Sequence, residues 1–159
     1  MANQRERPAA AAARLAQQCV AFVRQKFGFP LPFTPESLLL VDLIVDKIKE
    51  TRATETQAST ILRGLGCYAG EVFVRHAKGS WRSAAELKVD QASSESGLVV
   101  ALPGLVGCDV IGTVFGRFRQ GPSTSVAALY EFHASEFARP GTSRSGRGPS
   151  PSPDDGSRS

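Results

Sequence analysis

The stretch "GLGCYAGEVFVRHAKGSW", residues 64–81, limits the possible folds more than any other part of the chain. Its apolar residues repeat at helical spacing, yet Gly64, Gly66 and Gly70 fall within that repeat. Each glycine in a helix interior costs about 1 kcal/mol relative to alanine. A helix that keeps three of them must be driven by packing of a wide apolar face. At about 100° per residue, Leu62, Leu65, Tyr68, Ala69, Val72 and Phe73 share one arc with Ile61, and Gly66 and Gly70 border it. Gly64 falls across the helix beside Cys67, Glu71, Arg75 and Lys78, a side expected to face solvent. Glu71 precedes Arg75 by four, the favourable order for a surface ion pair worth a few tenths of a kcal/mol. Close core packing thus accounts for Gly66 and Gly70 and leaves Gly64 without a reason.

This helix is expected over 55–78, opened by Thr54 or a neighbour and closed by Gly79. A helix over 11–27 precedes it, with Leu15, Cys19, Phe22, Val23 and Phe27 on its inner stripe and Gly28 as its stop. A second opens with Thr34 as N-cap and Pro35 at the first position. Its body buries Leu40, Val41, Leu43, Ile44 and Ile48 and exposes Asp42, Asp46 and Lys49. From Trp81 the period shortens. "WRSAAELKVD" and "SGLVVAL", separated by the polar "QASSES", read as an antiparallel strand pair. A fourth helix follows Asp109, its expected N-cap, with Gly112 and Gly116 again four apart. A fifth spans "STSVAALYEFHASEFA" with Val126, Leu129, Tyr130, His133 and Phe137 inward. The expected fold is α+β: a single, mainly helical domain of about five helices over 11–139, with a small antiparallel β-sheet. Residues 1–10 read as a flexible arm. Residues 140–159 are Pro, Gly, Ser and charge, too poor in apolar surface to offset ordering entropy.

In both helices the glycine pairs Gly66/Gly70 and Gly112/Gly116 read as structural, letting a neighbour press close. The membrane-dimer version of that pattern fails, because neither helix is apolar all round. "GLGCYAG" also misses the dinucleotide-binding spacing and lies inside a helical pattern rather than after a strand. The most apolar run, "SLLLVDLIVDKI", is broken by Asp42 and Asp46 and is too short to span a bilayer. Cys19, Cys67 and Cys108 make an odd count without C-x-x-C or histidine at metal spacing, which argues for a reducing, cytoplasmic setting and against a disulfide framework, and a metal would need more ligands at coherent spacing. The net charge of +4 comes largely from arginines near the two ends. That distribution argues against nucleic-acid binding, which would run through the basic termini.

No cofactor motif is present and catalytic constellations are thin. Cys67 or Glu71 with His76 is the arrangement a small hydrolase or transferase would need, and Cys67 or Cys108 with His76 or His133 a thiol–imidazole pair. The leading expectation is a non-enzymatic domain that binds another protein through Glu71, Arg75 and Lys78, with Trp81 at the end of that face.

The run "GCYAGEVFVRHAKGSW" and the later "DVIGTVFGRFRQGPSTSVAALY" resemble a group of small bacterial domains of unknown function. Their pattern is Gly-x-Tyr-x-Gly-Glu-Val, then Gly-x-Trp, a short helix, and a Gly-x-x-x-Ser turn into the last helix. Tyr68, Gly70, Glu71, Gly79, Trp81 and Gly121 carry the match, which covers roughly residues 54–135. Gly66 and "KGS" depart from the usual form. The resemblance implies no agreed activity. Some domains of this sort sit beside toxin genes as immunity proteins, which would make the partner a cognate toxin.

Overall fold

The computed structural model describes residues 7–87, 97–104 and 107–138. The expected arm, tail and "QASSES" turn fall on residues largely or wholly outside these. Five α-helices and a two-stranded antiparallel sheet make up the described residues, an α+β and mainly helical architecture: α1 Pro8–Phe27, α2 Leu38–Glu50, α3 Glu55–His76, β1 Ser80–Ser83, β2 Leu98–Ala101, α4 Val110–Gln120 and α5 Val126–Ala138. In the sheet Trp81 pairs with Val100 and Arg82 with Val99. Cys108 exchanges backbone hydrogen bonds with Val100, tying the approach to α4 onto the edge of β2 opposite β1.

The centre of the fold is α3. It starts at a capping box: the Thr54 hydroxyl accepts from the Gln57 amide at 3.1 Å, and the Gln57 side chain accepts from the Thr54 amide at 2.9 Å. From Gly64 to Phe73 every residue is buried. The side expected to face solvent is therefore covered, and α1 covers it. The three glycines each admit a different element. A Cβ at Gly64 would lie 3.0 Å from Cys19 Cβ of α1. One at Gly66 would lie 2.7 Å from the Ile111 Cα of α4, a backbone atom. One at Gly70 would collide with the Trp81 indole. The helix ends at His76 with Ala77 as its C-cap, and the next residue, Lys78, takes the left-handed conformation (φ 58°) in place of the expected glycine. Gly79 serves instead to let Val100 and Leu102 pack over it.

On α1 the buried stripe is Ala12, Ala16, Cys19 and Val23, rotated from the expected one. Small residues face Gly64 and Cys67 because two helices that approach this closely leave no room for a phenyl ring. Phe22 is displaced to the edge and stands 46% exposed. The helix also begins three residues earlier than expected, with Pro8 at its first position, where its missing N–H costs nothing.

On α2 two expectations are corrected. Pro35–Ser37 forms a 3₁₀ turn ahead of the helix, whose exposed side carries Leu39 and Leu43. Asp42 is buried, not exposed. Its carboxylate accepts from the Ser125 hydroxyl (2.6 Å) and the Val126 amide (3.0 Å), capping α5 from another helix. One turn on, Asp46 makes a bidentate pair with Arg117 of α4 at 2.9 and 2.7 Å, and Arg117 also donates to the Thr124 carbonyl. These bonds orient α2, α4 and α5 together. On α4 the N-cap is Asp109, as expected, accepting from the Gly112 amide at 2.8 Å. The glycines of α4 do not admit a neighbouring helix: Gly112 faces the Asp109 carboxylate and Gly116 the Thr124 side chain. Phe137 lies outside the residues whose side chains are described.

Gly66→Ala forces the α4 backbone outward, so it should cost about 1–3 kcal/mol despite alanine's better helix propensity. Gly70→Leu should cost at least as much through Trp81. Gly64→Ala should cost less than either: its Cβ would meet Cys19 Cβ at 3.0 Å, so α1 must give by only a few tenths of an ångström, partly offset by alanine's helix propensity. Urea melts of the three variants check the order; equal midpoints for Gly66→Ala and wild type would contradict the close approach.

Candidate interaction site

The four residues expected to form a partner face separate into two groups. Glu71 and Trp81 are each 7% exposed, and the indole Nε1 donates to Glu71 Oε2 at 2.8 Å. A buried carboxylate is tolerated because it is hydrogen-bonded and because Arg75 approaches its other oxygen at 3.7 Å. Glu71, Gly70 and Trp81 thus form a clasp that fixes β1 to α3. They belong to the scaffold, and the partner face loses them. Arg75 and Lys78 remain at the surface.

Arg75 is occupied as well, its guanidinium lying 3.9 Å from the centroid of the Phe33 ring. Phe33 itself has φ 59°, a conformation unfavourable for a non-glycine residue. Neighbouring groups hold it there. Its amide donates to the Tyr68 hydroxyl at 2.8 Å, and its carbonyl accepts from His76 Nε2 at 2.9 Å, which assigns the ring proton to Nε2. Tyr68 in turn lies 2.6 Å from the Ser37 hydroxyl, which donates to the Thr34 carbonyl. The order Phe33 N–H, Tyr68 O–H, Ser37 O–H, Thr34 C=O satisfies every member of this chain. Burial raises the Tyr68 pKa despite the hydrogen bonds to Ser37 and Phe33, keeping the hydroxyl neutral. The network straps the connector between α1 and α2 onto α3.

The groups proposed for catalysis are likewise committed elsewhere. Cys67 is fully buried, Glu71 is held by Trp81, and His76 is bonded to the Phe33 carbonyl. Cys108 Sγ does lie 3.9 Å from His133 Nε2. Burial, aided by the adjacent Asp109, pushes that thiol up to about 11, so it keeps its proton at neutral pH. A nucleophile requires the thiolate. Burial also raises Cys67 to about 11 against the pull of Arg63, and Cys19 to about 12, with Cys67 nearby adding to the rise. Among the described residues no group of three or more His, Cys, Asp or Glu converges as a metal site. No helix among them is long and apolar enough to cross a membrane.

A concave surface lies elsewhere, where no site was expected. Leu15, Gln18, Cys19 and Phe22 of α1 face Gln57, Thr60, Ile61 and Gly64 of α3 across a groove of about 400 Å³. Each helix contributes positions i, i+3, i+4 and i+7. The groove follows from the packing: small residues bring the helices together at Cys19 and Gly64, and the larger Leu15, Phe22 and Ile61 stand along its sides. Its lining is apolar with three uncharged polar groups, Gln18, Gln57 and Thr60. Leu39 on α2 and Phe132 on α5 are more exposed, at 66% and 63%, but they sit on outer helix faces. The signal in the sequence was the pairing of Gly64 and Cys67 with Ala12, Ala16 and Cys19, small residues at helical spacing on two helices.

Fold and site together define a mainly helical α+β domain with an apolar inter-helix groove and scaffold-bound charges. No protein-family model, no curated protein and no solved structure matches the chain.

Two outcomes test this site assignment. Glu71→Ala should destabilise the fold by about 1–3 kcal/mol by orphaning the indole N–H, Glu71→Gln by less, and Arg75→Ala by about 1 kcal/mol at most. The single tryptophan reports unfolding directly. A Glu71→Ala protein of wild-type stability would return Glu71 to the surface. The raised thiol pKa values favour the protonated forms in the fold. Their stabilisation is complete below about pH 9, the unfolded value, and is lost as pH rises through about 11 to 12. Ellman's reagent at pH 8 should accordingly leave the three thiols unmodified until urea is added; rapid reaction of Cys67 or Cys108 in the native state would contradict their burial.

Proposed function

We propose that this chain is a non-enzymatic protein-interaction domain whose docking surface is the α1–α3 groove rather than the Arg75–Lys78 end of α3. The observation that carries the reading is the groove itself. It is a recess about 400 Å³ in volume with a half-exposed phenylalanine on its wall, on a scaffold whose candidate catalytic groups are spent on internal bonds. Concave apolar surfaces with a few convergent polar groups are where proteins take ligands and partner side chains. An immunity-type binder, holding a toxin, is the form that the resemblance to small bacterial domains implies.

A photo-crosslinking residue at Gln18 or Thr60, introduced in the native host, tests this. The expected result is an adduct with one partner protein that, once purified, binds wild type and loses at least tenfold affinity for Phe22→Asp. Unchanged thermal stability of Phe22→Asp controls for folding, since Phe22 makes little of the core. Identical binding to both proteins, or no specific adduct, would overturn the groove as the docking surface.

A further inference from the structure

We infer that the groove takes one amphipathic helix of a partner protein, with apolar anchors at i, i+3, i+4 and i+7 and acidic residues flanking them; this rests on the interaction reading above. Seven residues of helix rise about 10 Å, so each groove wall is as long as two turns of a docked helix, the repeat by which amphipathic helices enter such grooves. The floor at Cys19 and Gly64 is made of small side chains, which leaves depth between the larger side walls for an occupant's anchors.

Charge selects the occupant. From Pro8 to Phe27 α1 carries Arg14, Arg24 and Lys26 and no acidic residue. Lys26 continues the groove stripe one turn past Phe22. At the other end Arg63 of α3 is exposed, and Glu71, which continues the α3 stripe past Gly64, is already held by the Trp81 indole and by Arg75. Glu55, at the start of α3, is turned to Arg119 of α4 through a bidentate pair at 2.7 Å. The groove is thus neutral inside and positive at both ends. A second copy of the chain would bring like-charged rims together. The stretches 1–6, 88–96, 105–106 and 139–159 contain no pair of large apolar residues at helical spacing, so none offers such a ridge. An acidic amphipathic helix satisfies both the lining and the rim.

Synthetic peptides of about 16 residues, sharing leucine anchors at this spacing and flanked by Glu or by Lys, provide the probes. In anisotropy titrations with the full chain, the Glu peptide should bind at least tenfold more tightly than the Lys peptide, and its affinity should fall with salt. Arg63→Gln with Lys26→Gln should narrow that preference several-fold without changing the melting temperature, and Phe22→Asp should abolish binding. Equal affinity for the two peptides, or binding that survives Phe22→Asp, overturns the inference. So does a dimer in sedimentation that Phe22→Asp dissociates, because the groove would then hold a second copy. If neither peptide binds while Gln18 crosslinking still yields a partner protein, the helix assignment fails and the interaction reading stands. If both experiments fail, both fall.

Discussion

The rest of the structure depends on how closely other backbones approach α3. Three glycines within seven residues open that helix in three directions, toward Cys19 of α1, the Ile111 backbone of α4 and the Trp81 indole of β1. Their combined propensity cost, about 3 kcal/mol, is offset by burying ten consecutive residues, Tyr68 and Phe73 among them. Where it is covered on every side, from Gly64 to Phe73, the helix presents no face to a partner. That constraint leaves the proposed docking surface at the first half of α3, along the groove it forms with α1.

Several charged residues join elements. Asp42 caps α5 from α2, Asp46 fixes Arg117, Glu55 fixes Arg119, and Glu71 receives the Trp81 indole. The buried carboxylates survive because each has donors within hydrogen-bonding distance; without them, desolvation would cost several kcal/mol. Phe33 is held by the same economy of local bonds. Its left-handed backbone is a strained choice, and Tyr68, Arg75 and His76 of α3 engage its amide, ring and carbonyl. The strap keeps the connector over the core between α1 and α2.

Much of the fold was legible in the sequence because helix boundaries are local chemistry. Thr54 with Gln57, Asp109 ahead of α4, and Gly28 after α1 carry their own signals, and the change of period at Trp81 marks the strand pair. What could not be read was which side of each helix would be covered. A helical wheel places Glu71 and Gly64 on one side, but does not say that α1 lies across it. Asp42 was assigned to solvent for the same reason: its partners are 83 and 84 residues away. Glu71, expected at the functional face, was misplaced by that ambiguity, while the groove was hidden in small residues that look unremarkable singly. Gly64, left over by any account of core packing, was the strongest pointer to it.

Residues that α1, α4 and β1 enclose together should open only when the whole domain unfolds. Native-state hydrogen exchange of the backbone amides measures this directly. Amides from Gly64 to Phe73 should exchange slowest in the chain, with opening free energies equal to the global stability from denaturant melts, and those of α5 well before them. Exchange of the Gly64–Phe73 amides at the rate of α5, or faster on the Gly64 and Cys67 side, would contradict a central helix enclosed by its neighbours.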